Sequence, residues 1–147
     1  MAVVLPLLSL METTLSKKPI RARVLVVDDE PSIRELFVHR IGSLGHDVIT
    51  VSQGQDALEH ARTGTFDVVF CDIIMSRMDG FEVLSGLQKT HANTPIVMMT
   101  GSPAVKYEIE ARILGAFAFL RKPFDFDAVT GLISLALARK TGESNED

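Results

Sequence analysis

The chain has 147 residues, the size of one ordinary domain and enough to bury a substantial core. Hydrophobic residues make up 46% and charged residues 23%, which excludes a wholly disordered chain. Fifteen Lys and Arg against nineteen Asp and Glu leave a net charge of −4 without any basic run, so direct nucleic-acid binding is not expected.

The first segment, Ala2 to Met11 (AVVLPLLSLM), is nearly all apolar. A membrane-spanning helix needs about 20 such residues, and Pro6 interrupts this shorter run. A secretory signal carries basic residues ahead of its apolar stretch, but the first Lys or Arg here is Lys17. Residues 1–19 therefore read as a flexible extension outside the domain, with Met11 an alternative start. The domain is expected over residues 20–140, away from the membrane.

From Arg21 onward two patterns alternate. Arg23–Val27 (RVLVV) is a β-branched run followed by Asp28, Asp29, Glu30 and Pro31, and proline suits the first turn of a helix. Ile33, Leu36, Phe37, Ile41 and Leu44 recur at helical spacing up to Gly45. Asp47–Val51 predicts a second strand, and Ala57, Leu58 and Ala61 a short helix closed near Gly64. Phe66–Cys71 predicts a third strand running into Asp72, followed by a helix over Gly80–His91. Pro95–Met99 predicts strand four, ending at Thr100 and Gly101, and Val105, Ile109, Ile113 and Leu114 a fourth helix. Phe117–Leu120 predicts strand five, broken by Pro123, and Val129, Leu132, Ile133, Ala136 and Leu137 stripe a last helix. Residues 141–147 (TGESNED) carry no stripe and are expected to be a disordered acidic tail.

Five strands alternating with five helices imply an α/β fold, a doubly wound parallel sheet covered on both faces. In such sheets ligands bind beyond the carboxyl ends of the strands. Those ends carry Asp28 and Asp29, then Asp72, Thr100 and Lys122. Carboxylates converging at about 5 Å repel by roughly 3 kcal/mol per pair at an effective dielectric near 20. A hard divalent cation such as Mg²⁺ offsets this with oxygen ligands, and a lysine supplies further positive charge. A carboxylate nucleophile, Mg²⁺, Lys and a hydroxyl around one point suit phosphoryl transfer, which rests on positioning and charge stabilisation.

The set VLVVDDEP, VVFCDIIMSRMDG, IVMMTGS and FLRKPF, in order and at strand ends, resembles the receiver domain of bacterial two-component response regulators, chemotaxis regulators among them. The likeness covers roughly residues 21–140 and implies the flavodoxin-like five-stranded (βα)5 fold. It implies that Asp72 is the phosphoacceptor, taking a phosphoryl group from the phosphohistidine of a histidine kinase or phosphotransfer protein. It implies Asp29 as a direct Mg²⁺ ligand, Asp28 supporting the ion through water, and Asp72 with the Ile74 carbonyl completing the set. Lys122 matches the lysine that contacts phosphoryl oxygens, Thr100 the switch hydroxyl and Phe119 the switch aromatic. The Lys122–Pro123 bond is cis in the family.

The chain departs from the pattern at Ser76, where the family often has proline, and at Phe119, which lacks the hydroxyl of a tyrosine. Ile74 and Ser102 sit where the family tunes hydrolysis, and apolar Ile74 cannot orient an attacking water, so slow autodephosphorylation is expected. Beyond such self-phosphorylation and autodephosphorylation no enzyme activity is expected. Because the last stripe ends at Leu137, a stand-alone receiver is expected. The resemblance implies a cytoplasmic setting and signalling to an effector protein through the fourth helix, fifth strand and fifth helix, with a phosphorylation-dependent homodimer as a family-level expectation.

Each residue also has a plainer reading. Asp28 and Asp29 suit a helix N-terminus, Asp72 and Thr100 a turn, Lys122 solvent, and Phe119 the core. Cys71, the one cysteine, reads as a packed core thiol, and the four histidines show no metal spacing. A receiver cut from a longer transcriptional regulator, a pseudo-receiver and an FMN-binding flavodoxin-like module remain alternatives. An aspartyl phosphatase would want an aspartate where Ile74 stands, and Asp28–Glu30 would repel the phosphate of FMN.

Overall fold

The computed structural model describes residues 20–145, so the expectation for residues 1–19 lies outside it. In chain order the elements are β1 (Arg23–Val27), α1 (Pro31–Gly42), β2 (Asp47–Val51), α2 (Gly54–Thr63) and β3 (Val68–Asp72). They continue with α3 (Gly80–Thr90), β4 (Ile96–Thr100), α4 (Val105–Ile113), β5 (Ala118–Arg121) and α5 (Phe126–Asn145). The strands form one parallel sheet in the order β2-β1-β3-β4-β5. This is the flavodoxin-like doubly wound arrangement expected from the alternation. No helix among the described residues is long and apolar enough to cross a membrane.

Period-two alternation splits the apolar strands between two cores. Leu25, Val27, Val69, Cys71, Ile96 and Met98 pack with Ala57, Val83, Leu84, Leu87 and Ala111 of α2, α3 and α4. Val24, Val26, Val68, Phe70, Val97 and Met99 pack with Phe37, Ile41, Val129, Ile133 and Ala136 of α1 and α5. Every residue of β3 and β4 is buried, as strands covered on both faces must be. Cys71 lies in this interior as expected, and burial together with neighbouring Asp72 pushes its thiol pKa up, which keeps it protonated.

Several expectations need correction. Strand β3 starts at Val68 rather than Phe66: the Asp67 N–H still donates to the Arg23 carbonyl (2.8 Å), but the Arg23 N–H is taken by the Asp67 carboxylate (2.7 Å) in place of a backbone carbonyl. The stripe Val105, Ile109 and Ile113 marks α4 correctly but faces solvent, at 59%, 53% and 78% exposure, while small Ala111 faces the sheet. Leu36 and Leu44 of the first stripe are likewise exposed, and Phe37 and Ile41 carry the packing of α1. Helix α5 runs to Asn145, so the segment expected as a disordered tail is helical over residues 141–145. A helix needs no apolar stripe to continue, since each added residue gains a backbone bond once the helix is nucleated. His46, which the spacing left without a role, accepts the Ala22 N–H on Nδ1 at 3.0 Å and joins the starts of β1 and β2.

An aromatic cluster ties α1 to β3 and to the segment after β5. The Phe37 ring lies 5.2 Å from Phe70, 6.0 Å from Phe124 and 5.3 Å from Phe126, in the tilted and edge-on arrangements that rings prefer. Phe124 and Phe126 directly follow the cis Lys122–Pro123 bond, so α1 anchors the loop that carries Lys122. Phe37→Ala is expected to lower stability by about 3–5 kcal/mol. Equilibrium urea unfolding measures it.

Candidate functional site

Strand register brings the expected residues to one edge. Val27 pairs with Cys71, so Asp28 and Asp72 are the next residues along adjacent strands. Asp72 pairs with Met99, which puts Thr100 one step beyond, and Thr100 pairs with Arg121, which puts Lys122 one step beyond that. The edge lies beside the β1/β3 switch point, where the chain reverses its direction of growth across the sheet.

Local bonds then hold each group. The Asp28 N–H donates to the Val51 carbonyl (3.1 Å), Arg34 donates to the Asp28 carbonyl (2.8 Å), and Asp28 Oδ1 accepts the Glu30 N–H (2.9 Å). Asp28 thus makes a tight turn, and no side chain caps α1, contrary to the helix-terminus reading of the acidic run. The Lys122 N–H donates to the Thr100 carbonyl at 2.8 Å, tying β5 to β4 just before the lysine. Gly80 closes the loop behind Asp72 through an N–H bond to the Ile73 carbonyl (2.7 Å). A Cβ there would meet the Asp72 carbonyl oxygen at 2.2 Å, so only glycine fits so close an approach.

Charge is concentrated at this point. Lys122 Nζ lies 2.7 Å from Asp28 Oδ2, 3.1 Å from Glu30 Oε1 and 3.3 Å from Asp72 Oδ2. Carboxylate oxygens of Asp28, Asp29 and Asp72 lie within 4.8 Å of one another, a spacing suited to a divalent cation. Asp28 Oδ2 is buried, and the Lys122 ammonium at 2.7 Å is its partner. Three clustered carboxylates that share this one lysine keep an excess of negative charge, which a hard cation with oxygen ligands would offset.

The electrostatics follow from burial. Burial and the Asp28 charge raise the Asp72 carboxyl to about 6, against the opposing pull of Lys122 and a hydrogen bond from the Ile74 backbone. For Lys122, burial pulls its pKa down, but the surrounding carboxylates outweigh that and hold it above its ordinary range. Thr100 is fully buried, and its Oγ1 accepts the Ser102 N–H at 3.1 Å. Phe119 is half-buried against the α2–α4 core, and the Ile74 side chain is 50% exposed.

The site therefore unites Asp28, Asp29, Asp72, Thr100 and Lys122, with Ile74 joined through its backbone and Phe119 set back along β5. Sequence reasoning missed Glu30, whose carboxylate shares Lys122, and Arg34, which braces Asp28. Glu30 adjoins two site aspartates, which was a usable signal. Arg34 lies one helical turn on and carried none.

The family profile described as the response regulator receiver domain matches residues 24–134. The chain belongs to that family. It is 36% identical over 121 residues to the transcriptional regulatory protein ZraR of Salmonella typhimurium, covering 81% of this chain and 27% of that one. It thus spans about a quarter of the length of that curated relative. The structure of the chemotaxis response regulator CheY4 of Vibrio cholerae matches with a TM-score of 0.73 and 32% identity, covering 80% of this chain and 99% of that one. The response regulator TrrA of Thermotoga maritima, solved in complex with Mg(2+)-BeF, matches with a TM-score of 0.70 and 30% identity, covering 78% and 98%.

The raised Asp72 carboxyl has a consequence for stability. A carboxyl lifted by folding favours the folded state fully below its ordinary range near 4, and that contribution is lost as pH rises through about 6. Asp72→Asn removes the charge at every pH. In thermal scans with chelator it is expected to raise the Tm by about 5 °C at pH 8, with a much smaller difference at pH 4.5.

Proposed function

We propose that this receiver accepts a phosphoryl group on Asp72 from the phosphohistidine of a histidine kinase or phosphotransfer protein. The reading is carried by one observation, the Asp72 carboxylate lying both among the Asp28 and Asp29 oxygens and 3.3 Å from the Lys122 ammonium. In this reading an Asp72 oxygen attacks phosphorus, the phosphorus–nitrogen bond breaks, and the electron pair leaves on the imidazole. The product is an acyl phosphate.

Asp29, Asp72 and the Ile74 carbonyl would hold Mg²⁺, with Asp28 supporting it through water. When bound, Mg²⁺ supplies the charge that offsets the carboxylates and the incoming phosphoryl oxygens. Lys122 turns to a phosphoryl oxygen, the Thr100 hydroxyl follows, and Phe119 moves inward into the space released. Output goes to an effector protein, or to a second copy in a phosphorylation-dependent homodimer, through α4, β5 and α5. The exposed stripe of Val105, Ile109 and Ile113 supports that choice of face. The family supports a cytoplasmic setting.

The stand-alone receiver competes with a second reading. Relatives named as transcriptional regulatory proteins extend well beyond the matched segment, which favours a receiver module of a longer regulator. Nucleic-acid contact would then belong to the rest of that protein and not to this domain.

Incubation with acetyl phosphate and Mg²⁺ is expected to add one phosphoryl group by intact mass, with none on Asp72→Asn and none after chelation. A folded wild-type protein that binds Mg²⁺ without an adduct from any phosphodonor would overturn the reading. The acyl phosphate is expected to last minutes or longer, because apolar Ile74 cannot orient water, and Ile74→Asn is expected to shorten it several-fold. A wild-type half-life of seconds, followed by phosphate release, would contradict the role given to Ile74.

A further inference from the structure

Arg121 is the last residue of β5, two positions after Phe119, so strand alternation puts both side chains on one face of the sheet. Its guanidinium carbon lies 5.2 Å from the centre of the Phe119 ring, within cation–π range. Its Nη1 donates to the Ser102 carbonyl at 3.1 Å, and its Nη2 lies 3.9 Å from Glu108 Oε2 on α4. Glu108 is shared with Arg112 at 3.5 Å. One planar group thus touches the loop after β4, the aromatic ring and α4. Arginine suits this task, because a flat face stacks on a ring while a fixed fork of donors serves a carbonyl and a carboxylate.

Ser102 is the junction. Its N–H donates to Thr100 Oγ1, and its carbonyl accepts from Arg121. A Thr100 hydroxyl that swings to a phosphoryl oxygen either carries Ser102 with it or abandons its N–H. In the first case the carbonyl that anchors Arg121 moves with it, and in the second the loop that presents that carbonyl loses its bond to Thr100. Phe119 has no hydroxyl through which its ring could be tethered, so the cation over its face is the polar group that holds it.

Building on the receiver reading above, we propose that Arg121 is a positioning residue of the switch. It latches Phe119 and the loop after Thr100 in the present arrangement, and its release from Ser102 links movement of Thr100 to turning of the ring. Glu108 keeps the freed guanidinium beside α4, so the event is passed to the helix that carries the exposed apolar stripe.

A latch that favours one arrangement lowers the apparent affinity of any ligand that selects the other. The test uses the full chain with two substitutions. Arg121→Met keeps a long side chain over the ring but loses the charge and the donors, and Arg121→Lys keeps the charge without the fork. Beryllofluoride with Mg²⁺, a phosphoryl mimic, is titrated calorimetrically, and the Phe119 ring is followed by NMR with labelled phenylalanine. The Met variant is expected to bind the mimic about fivefold tighter than wild type, with the Lys variant between them. Its Phe119 resonances are expected to lie shifted toward the bound positions before any ligand is added. A residue that only stabilises the fold would lower the melting temperature without tightening binding or moving the ring signals. Equal or weaker binding with an unmoved ring overturns the latch while leaving the receiver reading intact. Wild-type protein that does not bind the mimic overturns both. If the Met variant does not fold, the Lys variant decides by the same two readouts.

Discussion

The structure depends on holding three carboxylates, those of Asp28, Glu30 and Asp72, around a single ammonium, that of Lys122, with Asp29 beside two of them. Within 4.8 Å and at an effective dielectric near 20, each like-charge pair among Asp28, Asp29 and Asp72 costs roughly 3 kcal/mol, and one lysine cannot offset them all. The fold pins both sides of this contact. Gly80 lets the backbone close tightly behind Asp72, and the Phe37 cluster anchors the loop that delivers Lys122. Removing such a charge is expected to stabilise the protein at the expense of its chemistry, the usual relation at a site built for reaction.

The two faces of the sheet serve different ends. On the α1 and α5 side, phenylalanines interlock and the packing is rigid and local to the lysine loop. On the other side, α4 packs through Ala111 and half-buried Tyr107 and turns Val105, Ile109 and Ile113 outward. The ion pair of Glu108 with Arg121 is one of its ties to β5. The acidic site and the exposed apolar stripe of α4 are thereby joined through a short span of residues at the ends of β4 and β5.

Much of this was legible in the chain. Alternating β-branched runs and helical stripes identified ten elements in order, and the acidic, hydroxyl and lysine residues at strand ends named the groups that the register brings to one edge. The errors have common physical causes. Helical spacing reports that a helix has an apolar face, not which neighbour covers it, so α4 was found while the outward turn of Val105, Ile109 and Ile113 was not. Nothing in the spacing singled out Arg121, because its partners Ser102 and Glu108 come from β4's following loop and from α4.

By itself the sequence determined the order of elements, the parallel covered sheet and the identities of the groups at its carboxyl edge, since periodicity and residue chemistry are local properties. The strand order β2-β1-β3-β4-β5 and the register that lines up Asp28, Asp72, Thr100 and Lys122 emerge only in the folded molecule. So do the sharing of the lysine by Glu30 and the guanidinium that covers Phe119. These are distances between residues far apart in the chain, and they arise from packing of whole elements, which no local pattern encodes.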